Sequence, residues 1–541
     1  MDHCAGMCVC LSVHPSILPT GASLHPPPSL LPFPWAGSSH LAGLKCIFGE
    51  ILPVFLTREP AAGAGQGGCR VCLHLPWVPA PRSPPHLPGV SPARHFALWS
   101  GSVPSLTPKC VSIFICPGDG PGCCCFCRFE KAYTHTLYYL AQVYQHLDMI
   151  EKAAQYCHTT LKRQLEYCGY YPVEWARNAA TLSQYYLSKE CFMEARHCLA
   201  AASVIFSQAG QVPSAEDYQQ DLPERKAEIA RCWIKYCLNL LQSHAFSFQD
   251  NIGELDPDRQ LELKAQRKKE EDEKEKGRKK AVLFGTSDIS DSVLAMEEKV
   301  SSVYPLDFQE AREVFLVGQN YVQEAKEFFQ VDGYVTDHIE IVQDHSALFK
   351  VLAFFEEDYE RRCKMHKRRI DMLEPIYTDL NPQYYLLVRR QLQCELADTY
   401  YEMMDLKVAI GNRLEKLDSH TVKKINSLAQ FAIKYYELFL DSLRNPDKVF
   451  PEKLEEDVLR PAMVAKFHIA RLYGKLITSD SKKQLENMQT SLEYYTFLVD
   501  YCEKYPDAVP AIETELELSK EMVNLLPASM ERLRAKVSSF V

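Results

Sequence analysis

Tyrosine is absent from the first 127 residues, although the 541-residue chain has 28, all from Tyr133 onward. Charge is scarce in the same stretch: 6 Lys/Arg and 4 Asp/Glu make 10 of 127 residues. The remaining 414 residues hold 54 basic and 66 acidic side chains, 120 in all. The first 127 residues also concentrate 20 of the 33 Pro, 14 of the 23 Gly and 12 of the 21 Cys. Two kinds of sequence are joined near Arg128, so no single structural class describes the whole chain.

The head lacks the periodicity of a fold. Pro15, Pro19, Pro26, Pro27, Pro28, Pro32 and Pro34 each remove a backbone donor and fix φ. No Asp, Glu, Lys or Arg occurs from position 3 to 44, yet those seven prolines exclude a spanning helix of ~20 apolar residues. Met1-Asp2-His3 lacks the basic start of a signal peptide. Cys69 and Cys72 form one CxxC, and Cys123, Cys124, Cys125 and Cys127 a cluster, but the second clean pair of a structural zinc site is missing. Residues 1–127 read as largely disordered, a GC-rich stretch translated upstream of a true exon rather than a selected domain.

The body lacks the breakers. It has 9 Gly and 13 Pro in 414 residues, and prolines such as Pro172, Pro223, Pro305, Pro382, Pro461 and Pro527 mark expected helix boundaries. Between them, apolar residues recur at i, i+3, i+4 and i+7 over 12 to 20 residues, and strand alternation is nowhere sustained. The body is read as all-α.

A 34-residue tetratricopeptide pattern fits from Thr134, with Leu137, Leu140, Ala141, Tyr144, Ala153 and Cys157 at its core positions. A second start at Ala176 gives Leu182, Ser183, Tyr186, Ala195, Leu199 and Ala202. Further starts place Leu396, Ala397, Tyr400 and Ala409, then Ile469, Ala470 and Tyr473. Such stripes bury faces between stacked repeats, so these are core residues of an α-solenoid.

Motifs of catalysis are missing as well. There is no GxxxxGK[ST], GxSxG or HExxH, and no GxGxxG after a strand. His158, His197, His338, His345 and His366 are scattered one to a helix, and the body cysteines sit at apolar helix positions, as buried thiols in a reducing cytosol do. Residues 261–280 carry 9 basic and 6 acidic side chains, a solvated helix or linker. Residues 361–369 carry six Lys/Arg beside Glu356, Glu357, Asp358 and Glu360, acids that can neutralise them. The body's balance of 54 minus 66, or −12, argues against nucleic-acid binding. The expectation is a binding protein with no catalytic residue, metal site or cofactor.

Several segments have a familiar wording: YTHTLYYLAQVYQHL at 133–147, ATLSQYYLSKECFMEARHCL at 180–199, AEIARCWIKYC at 227–237, FFQVDGYVTDHIEIVQDHSALFKVLAFFE at 328–356, RRCKMHKRRIDMLEP at 361–375 and VLRPAMVAKFHIARLYGK at 458–475. From about Arg128 to Leu533 the chain resembles the kinesin-binding protein (KIF-binding protein) family. The resemblance implies an all-α, tetratricopeptide-like right-handed α-solenoid that is not an enzyme, and it stops at the head, where family members carry further helical repeats. Its members bind kinesin motor domains, keep them off microtubules, and influence axon growth, neuronal microtubule organisation and mitochondrial transport. For this chain the implied setting is cytoplasmic and cytoskeleton-associated, without direct membrane insertion; association with microtubules and mitochondria would be indirect.

The domain reading is 1–127 head, 128–260 tetratricopeptide-like repeats, 261–302 charged linker or helix, and 303–541 a second solenoid half. The outward, concave side of each first helix in a repeat, expected to line the solenoid groove that engages the motor, is formed by positions 2, 5, 6 and 9: His135, Tyr138, Tyr139 and Gln142, then Arg177, Ala180, Thr181 and Gln184. Tyr139 and Thr181 share position 6, and Gln164 is placed in the turn after the first helix pair. The residues expected to touch a motor are therefore Tyr139, Gln142, Gln164, Thr181, Gln184, His135 and Tyr138. The competing reading is a general tetratricopeptide scaffold or co-chaperone, which needs a Lys/Arg clamp; Arg177 alone is basic among these positions.

Overall fold

A computed structural model describes residues 125–167, 170–209, 222–243, 257–278, 284, 287–413 and 418–539. The expectation of a disordered head lies outside the described residues up to position 124. Among the described residues the regular elements are helices, with no strand. In chain order they are α1 (Cys125–His146), α2 (Ile150–Tyr167), α3 (Pro172–Ser188), α4 (Phe192–Ala209), α5 (Leu222–Gln242), α6 (Pro257–Arg278), α7 (Ser287–Glu297) and α8 (Phe308–Phe328). There follow α9 (Val335–Phe355), α10 (Tyr359–Asp379), α11 (Leu386–Asn412), α12 (Ser419–Asp441), α13 (Glu456–Lys475), α14 (Ser481–Lys504), a 3-10 turn (Pro506–Ala511) and α15 (Glu513–Ser539).

The chain divides into two compact units between Tyr170 and Tyr171. In the first, α1 packs on α2. In the second, α3 packs on α4, α5 on α3 and α8, and α8 to α15 each on the next helix in sequence. α5 also touches α9, and α4 touches α7; contacts mostly between successive elements of a stack are the mark of a solenoid.

The helix starts follow from local chemistry. Asp307, Asp358, Asp418 and Asp480 are N-caps whose carboxylates accept from the backbone N–H of Glu310, Arg361, Thr421 and Lys482. A cap of this kind is worth about 1 kcal/mol. At α8 the arrangement is doubled, because Glu310 reaches back to accept from the N–H of Leu306 at 2.9 Å. The same two acids hold α6: Lys264 lies 2.7 Å from Asp307, and Arg267 donates to Glu310 at 2.7 and 3.0 Å. The charged stretch at 261–280 is thus largely helical and moored by its N-terminal half.

The core follows the periodic stripes. Leu182, Ala195, Leu199, Ala202, Leu396, Ala397, Ile469 and Ala470 are fully buried. Small residues let α3 and α4 approach, while Trp233 of α5 stacks on Tyr321 of α8 at 5.3 Å. Gly318 marks a close approach: a Cβ there would meet Leu348 at 3.1 Å and the Cβ of Cys237 at 3.2 Å. Three features differ from the sequence reading. Ala409 shares α11 with Leu396, because no proline interrupts that 27-residue run before its end. Pro461 and Pro527 lie inside α13 and α15 rather than at boundaries. The ~3 kcal/mol a mid-helix proline costs is outweighed in α13, where Pro461 and its neighbours Ala462 and Met463 are buried.

Candidate partner-binding site

Among the described residues, no group of three or more His, Cys, Asp or Glu is placed to hold a metal. No described helix is long and apolar enough to cross a membrane. Each unit presents one candidate surface.

On α1 the inner face sets Thr134 and Leu137 against the Ala153, Ala154 and Leu161 side of α2. The outer face is aromatic: Phe129 is 63% and Tyr139 58% exposed, so Tyr139 is not a core residue. Tyr138 is half-buried and lies edge-on to Tyr139 at 5.7 Å. Burial raises its hydroxyl pKa, and a hydrogen bond with Gln142, one turn on, partly offsets that rise. His135 is exposed and Gln142 half-buried on the same helix. Gln164 lies within the last turn of α2, not in the turn that follows it, because α2 runs on to Tyr167. Four expected residues therefore share α1, and the fifth occupies its partner helix.

In the second unit, Arg177, Thr181 and Gln184 line one side of α3. Thr181 is buried, and the Gln184 amide donates to the carbonyl of Cys232 on α5 at 3.4 Å. Arg177 is paired with Glu228 of α5 at 3.2 Å. These contacts begin a cross-helix ladder that the sequence reading missed. Arg231 of α5 reaches Asp337 and Glu340 of α9, both at 2.5 Å, and Lys235 reaches Asp344 at 2.7 Å. Lys350 of α9 continues to Glu402 of α11 at 3.3 Å, and Lys475 of α13 to Asp405. The only local trace is charge at helical spacing, Glu228/Arg231/Lys235 and Asp337/Glu340/Asp344; the partner helix lies some hundred residues away.

Behind the ladder runs a buried polar seam. Arg369 of α10, 1% exposed, donates to Glu402 at 2.9 Å, to His366 Nδ1 at 3.1 Å and to Ser346 at 3.1 Å. Ser346 donates in turn to Glu395 at 2.5 Å. Burial works against the Glu402 charge, but Lys350, Arg369 and His366 outweigh it and hold the carboxyl down to about 2. Burial holds His366 to about 3, neutral, as an acceptor from Arg369 must be. One turn before Glu402 on α11, Asp398 accepts from Tyr436 at 2.5 Å, and the same hydroxyl lies 2.7 Å from His468 Nδ1. Burial pushes Asp398 up to about 7 and His468 down to about 3. Each charge in the seam is met by another side chain, so it stiffens the stack rather than awaiting a substrate.

His197 plays a similar part. Its Nε2 accepts from the N–H of Phe284 at 2.8 Å, which leaves Nδ1–H to donate to Glu297 at 2.7 Å. The ring is a strut between α4 and α7.

A stack of helices with cross-linked polar faces defines a solenoid-like helical protein. Residues 173–533 match the family model described as "KIF-1 binding protein C terminal". KIF-binding protein of Gallus gallus is 90% identical over 419 residues, which cover 76% of this chain and 70% of that protein. The Homo sapiens counterpart is 69% identical over 418 residues, 76% of this chain and 67% of its own. A solved structure, "Cryo-EM map of KIFBP", matches with a TM-score of 0.59 at 68% identity, covering 76% of each chain. Another, "Kinesin binding protein (KBP)", matches with a TM-score of 0.50 at 58% identity, over 74% of this chain and 68% of that one. The chain belongs to the KIF-binding protein family, and its solenoid-like all-α fold is that of the family's solved structures.

Proposed function

We propose that the chain is a non-enzymatic protein that engages kinesin motor domains through its helix faces and keeps them off microtubules. The observation carrying this reading is the identity with proteins named for binding kinesins, which extends across both units. The finer roles follow from it: a cytoplasmic, cytoskeleton-associated protein that tunes kinesin-dependent transport, microtubule organisation and axon growth, and reaches mitochondria only through its motors. The physical logic is consistent. The outer face of α1 offers Tyr138, Tyr139 and Gln142, rigid rings beside adaptable amides, the composition of a recognition surface. Thr181 and Gln184 are tied into the α3–α5 contact and contribute mainly by positioning. A net charge of −10 favours encounter with a basic motor surface more than final affinity. The scaffold alternative is weakened because Arg177 is committed to Glu228 and is not free to clamp a peptide carboxylate.

The test uses the full chain and a purified kinesin motor domain, with capture and microtubule co-sedimentation as readouts. The wild-type chain is expected to capture the motor and to deplete it from the microtubule pellet. Tyr139→Ala with Gln142→Ala should weaken capture at least about tenfold, the loss of one or two interface hot spots, with the helical circular dichroism unchanged. Undiminished capture by that variant removes the site assignment; no capture by the wild type removes the function.

A further inference from the structure

α1 carries a second stripe that its packing on α2 does not use. Phe129, Tyr133, Thr136, Leu140 and Val143 follow one another at steps of 4, 3, 4 and 3 residues, and Leu147 comes 4 further on. The N–H of Leu147 still donates to the carbonyl of Val143 at 3.0 Å, so this residue keeps the helical register just past the end of α1. Steps alternating between 3 and 4 keep one seam facing a partner helix, the rule of a coiled coil. At ~100° per residue the seam lies roughly a third of a turn round from the buried Thr134 and Leu137, which face α2. Leu140 is half-buried and the other five positions are exposed, Val143 at 50% and Leu147 at 61%. Phe129 and Tyr133 stack at 6.1 Å, and the Arg163 guanidinium of α2 lies 4.4 Å over the Tyr133 ring, so both rings are held in place. Thr136 donates its hydroxyl to the carbonyl of Ala132 at 2.8 Å. The seam and the flank turned away from α2 (Ala132, Tyr139 and His146) hold no Asp, Glu, Lys or Arg. On α15, by contrast, the exposed Leu518 and Leu525 share their stripe with the exposed Glu521 and Arg532.

We propose that this seam is a self-association site, at which two copies of the chain pair α1 against α1, antiparallel, about a two-fold axis level with position 138. In that register Phe129 meets Leu147 of the partner subunit, Tyr133 meets Val143 of the partner subunit, and Leu140 meets Thr136 of the partner subunit. Each larger side chain therefore lies against a smaller one, whereas a parallel pair would set Phe129 on Phe129 and Thr136 on Thr136. The occupant is a second copy because the seam matches itself and offers no charge for a charged partner to read. Its uncharged flanks bring no like charges together, and an isologous pairing closes at the dimer. The exposed parts of Phe129, Tyr133, Tyr139, Val143 and Leu147 amount to about 500 Å² on each copy, taking ~150–200 Å² for a large side chain. Two copies would bury about 1,000 Å², the lower bound for a specific interface, so a dissociation constant on the order of 10 µM is expected. The pairing covers Tyr139, and on the reading of Tyr139 as a motor contact, self-association and motor capture exclude each other.

Sedimentation equilibrium of the full chain from 1 to 100 µM tests this with no motor present, so its outcome does not depend on the kinesin reading. The expected result is a monomer–dimer equilibrium with no larger species. Val143→Glu puts a charge into the paired seam and should weaken association at least about tenfold, with the helical circular dichroism unchanged. Leu525→Glu, at an exposed apolar position on α15, should leave association as it is. Phe129→Lys and Leu147→Glu should each weaken it, and the two together in one chain should restore it, because the antiparallel register brings these positions into contact. A chain that stays monomeric at 100 µM, as when its own residues before α1 or a foreign helix fill the seam, overturns the proposal. A dimer that Val143→Glu leaves intact does the same, and a double variant no tighter than the single ones overturns the antiparallel pairing.

Discussion

The α1–α2 hairpin and the α9–α13 stretch use the same side chains to opposite ends. Phe129 and Tyr139 stand 63% and 58% exposed on α1, whereas Tyr400, Tyr401 and Tyr436 are 0–8% exposed on α11 and α12. A helix with a neighbour on one side keeps half its rings in water; a helix between two neighbours must bury both faces. Burying both faces also buries polar groups, as in the seam around Arg369; among the described residues of α1 the buried charge is a single one, Glu130, paired with Arg163 of α2. Aromatic content says little about function until the number of packing partners is known.

The sharpest way to break this contrast is Arg369→Ala. It leaves Glu402 and Glu395 without their buried cation, and a loss of about 3–5 kcal/mol is expected on removing one partner of such a group. Urea unfolding followed by circular dichroism measures it, and a loss under 1 kcal/mol would show that the seam is hydrated rather than sealed.

A smaller effect is expected with pH. His366 and His468 fold with depressed pKa values of about 3, so the stability they contribute is present above pH ~6.5 and is lost as pH falls toward 3. Glu402, depressed to about 2, adds a further loss below its unfolded value near 4.5. Asp398 has the opposite sign: raised to about 7, it stabilises the fold below pH ~4 and costs stability as pH rises through 7. Asp398→Asn should therefore raise the urea midpoint more at pH 8 than at pH 5. An equal shift at both values would deny Asp398 its raised pKa.

The smallest stability effect belongs to the surface thought to matter most for binding. Tyr139→Ala is expected to change the unfolding free energy by less than about 0.5 kcal/mol, as exposed positions do. A larger loss would mean that the ring supports the hairpin and that any binding defect is indirect.

Much of the stack was legible in the sequence, because burial between neighbouring repeats imposes a period that single residues display. Leu182, Ala195, Leu199, Leu396 and Ala397 all fall where the period puts them. The second half of the third repeat did not, since Ala409 continues α11 instead of opening a new helix. Charges were harder to read. The basic run 361–369 mixes Arg361, exposed and paired with nearby Glu356 at 2.7 Å, with Arg369, buried and paired with Glu402 thirty-three positions on. Only the first pairing has a local signature. On the candidate surface, the α1 residues were legible because one amphipathic helix presents them. The commitment of Arg177 and Gln184 to α5 was not, because it depends on how two separate helices meet.

One junction joins matters that are usually separate. Asp307 and Glu310 initiate α8 by accepting from backbone N–H groups, and the same carboxylates hold Lys264 and Arg267 of α6. Both pKa values lie below the usual carboxylate range: burial works against the two charges, but backbone donors and the two cations outweigh it. A proton, a mutation or a competing cation at either acid therefore acts on two helices at once. Detaching α6 and fraying the first turn of α8 become a single reversible event, a latch whose two halves cannot be opened independently.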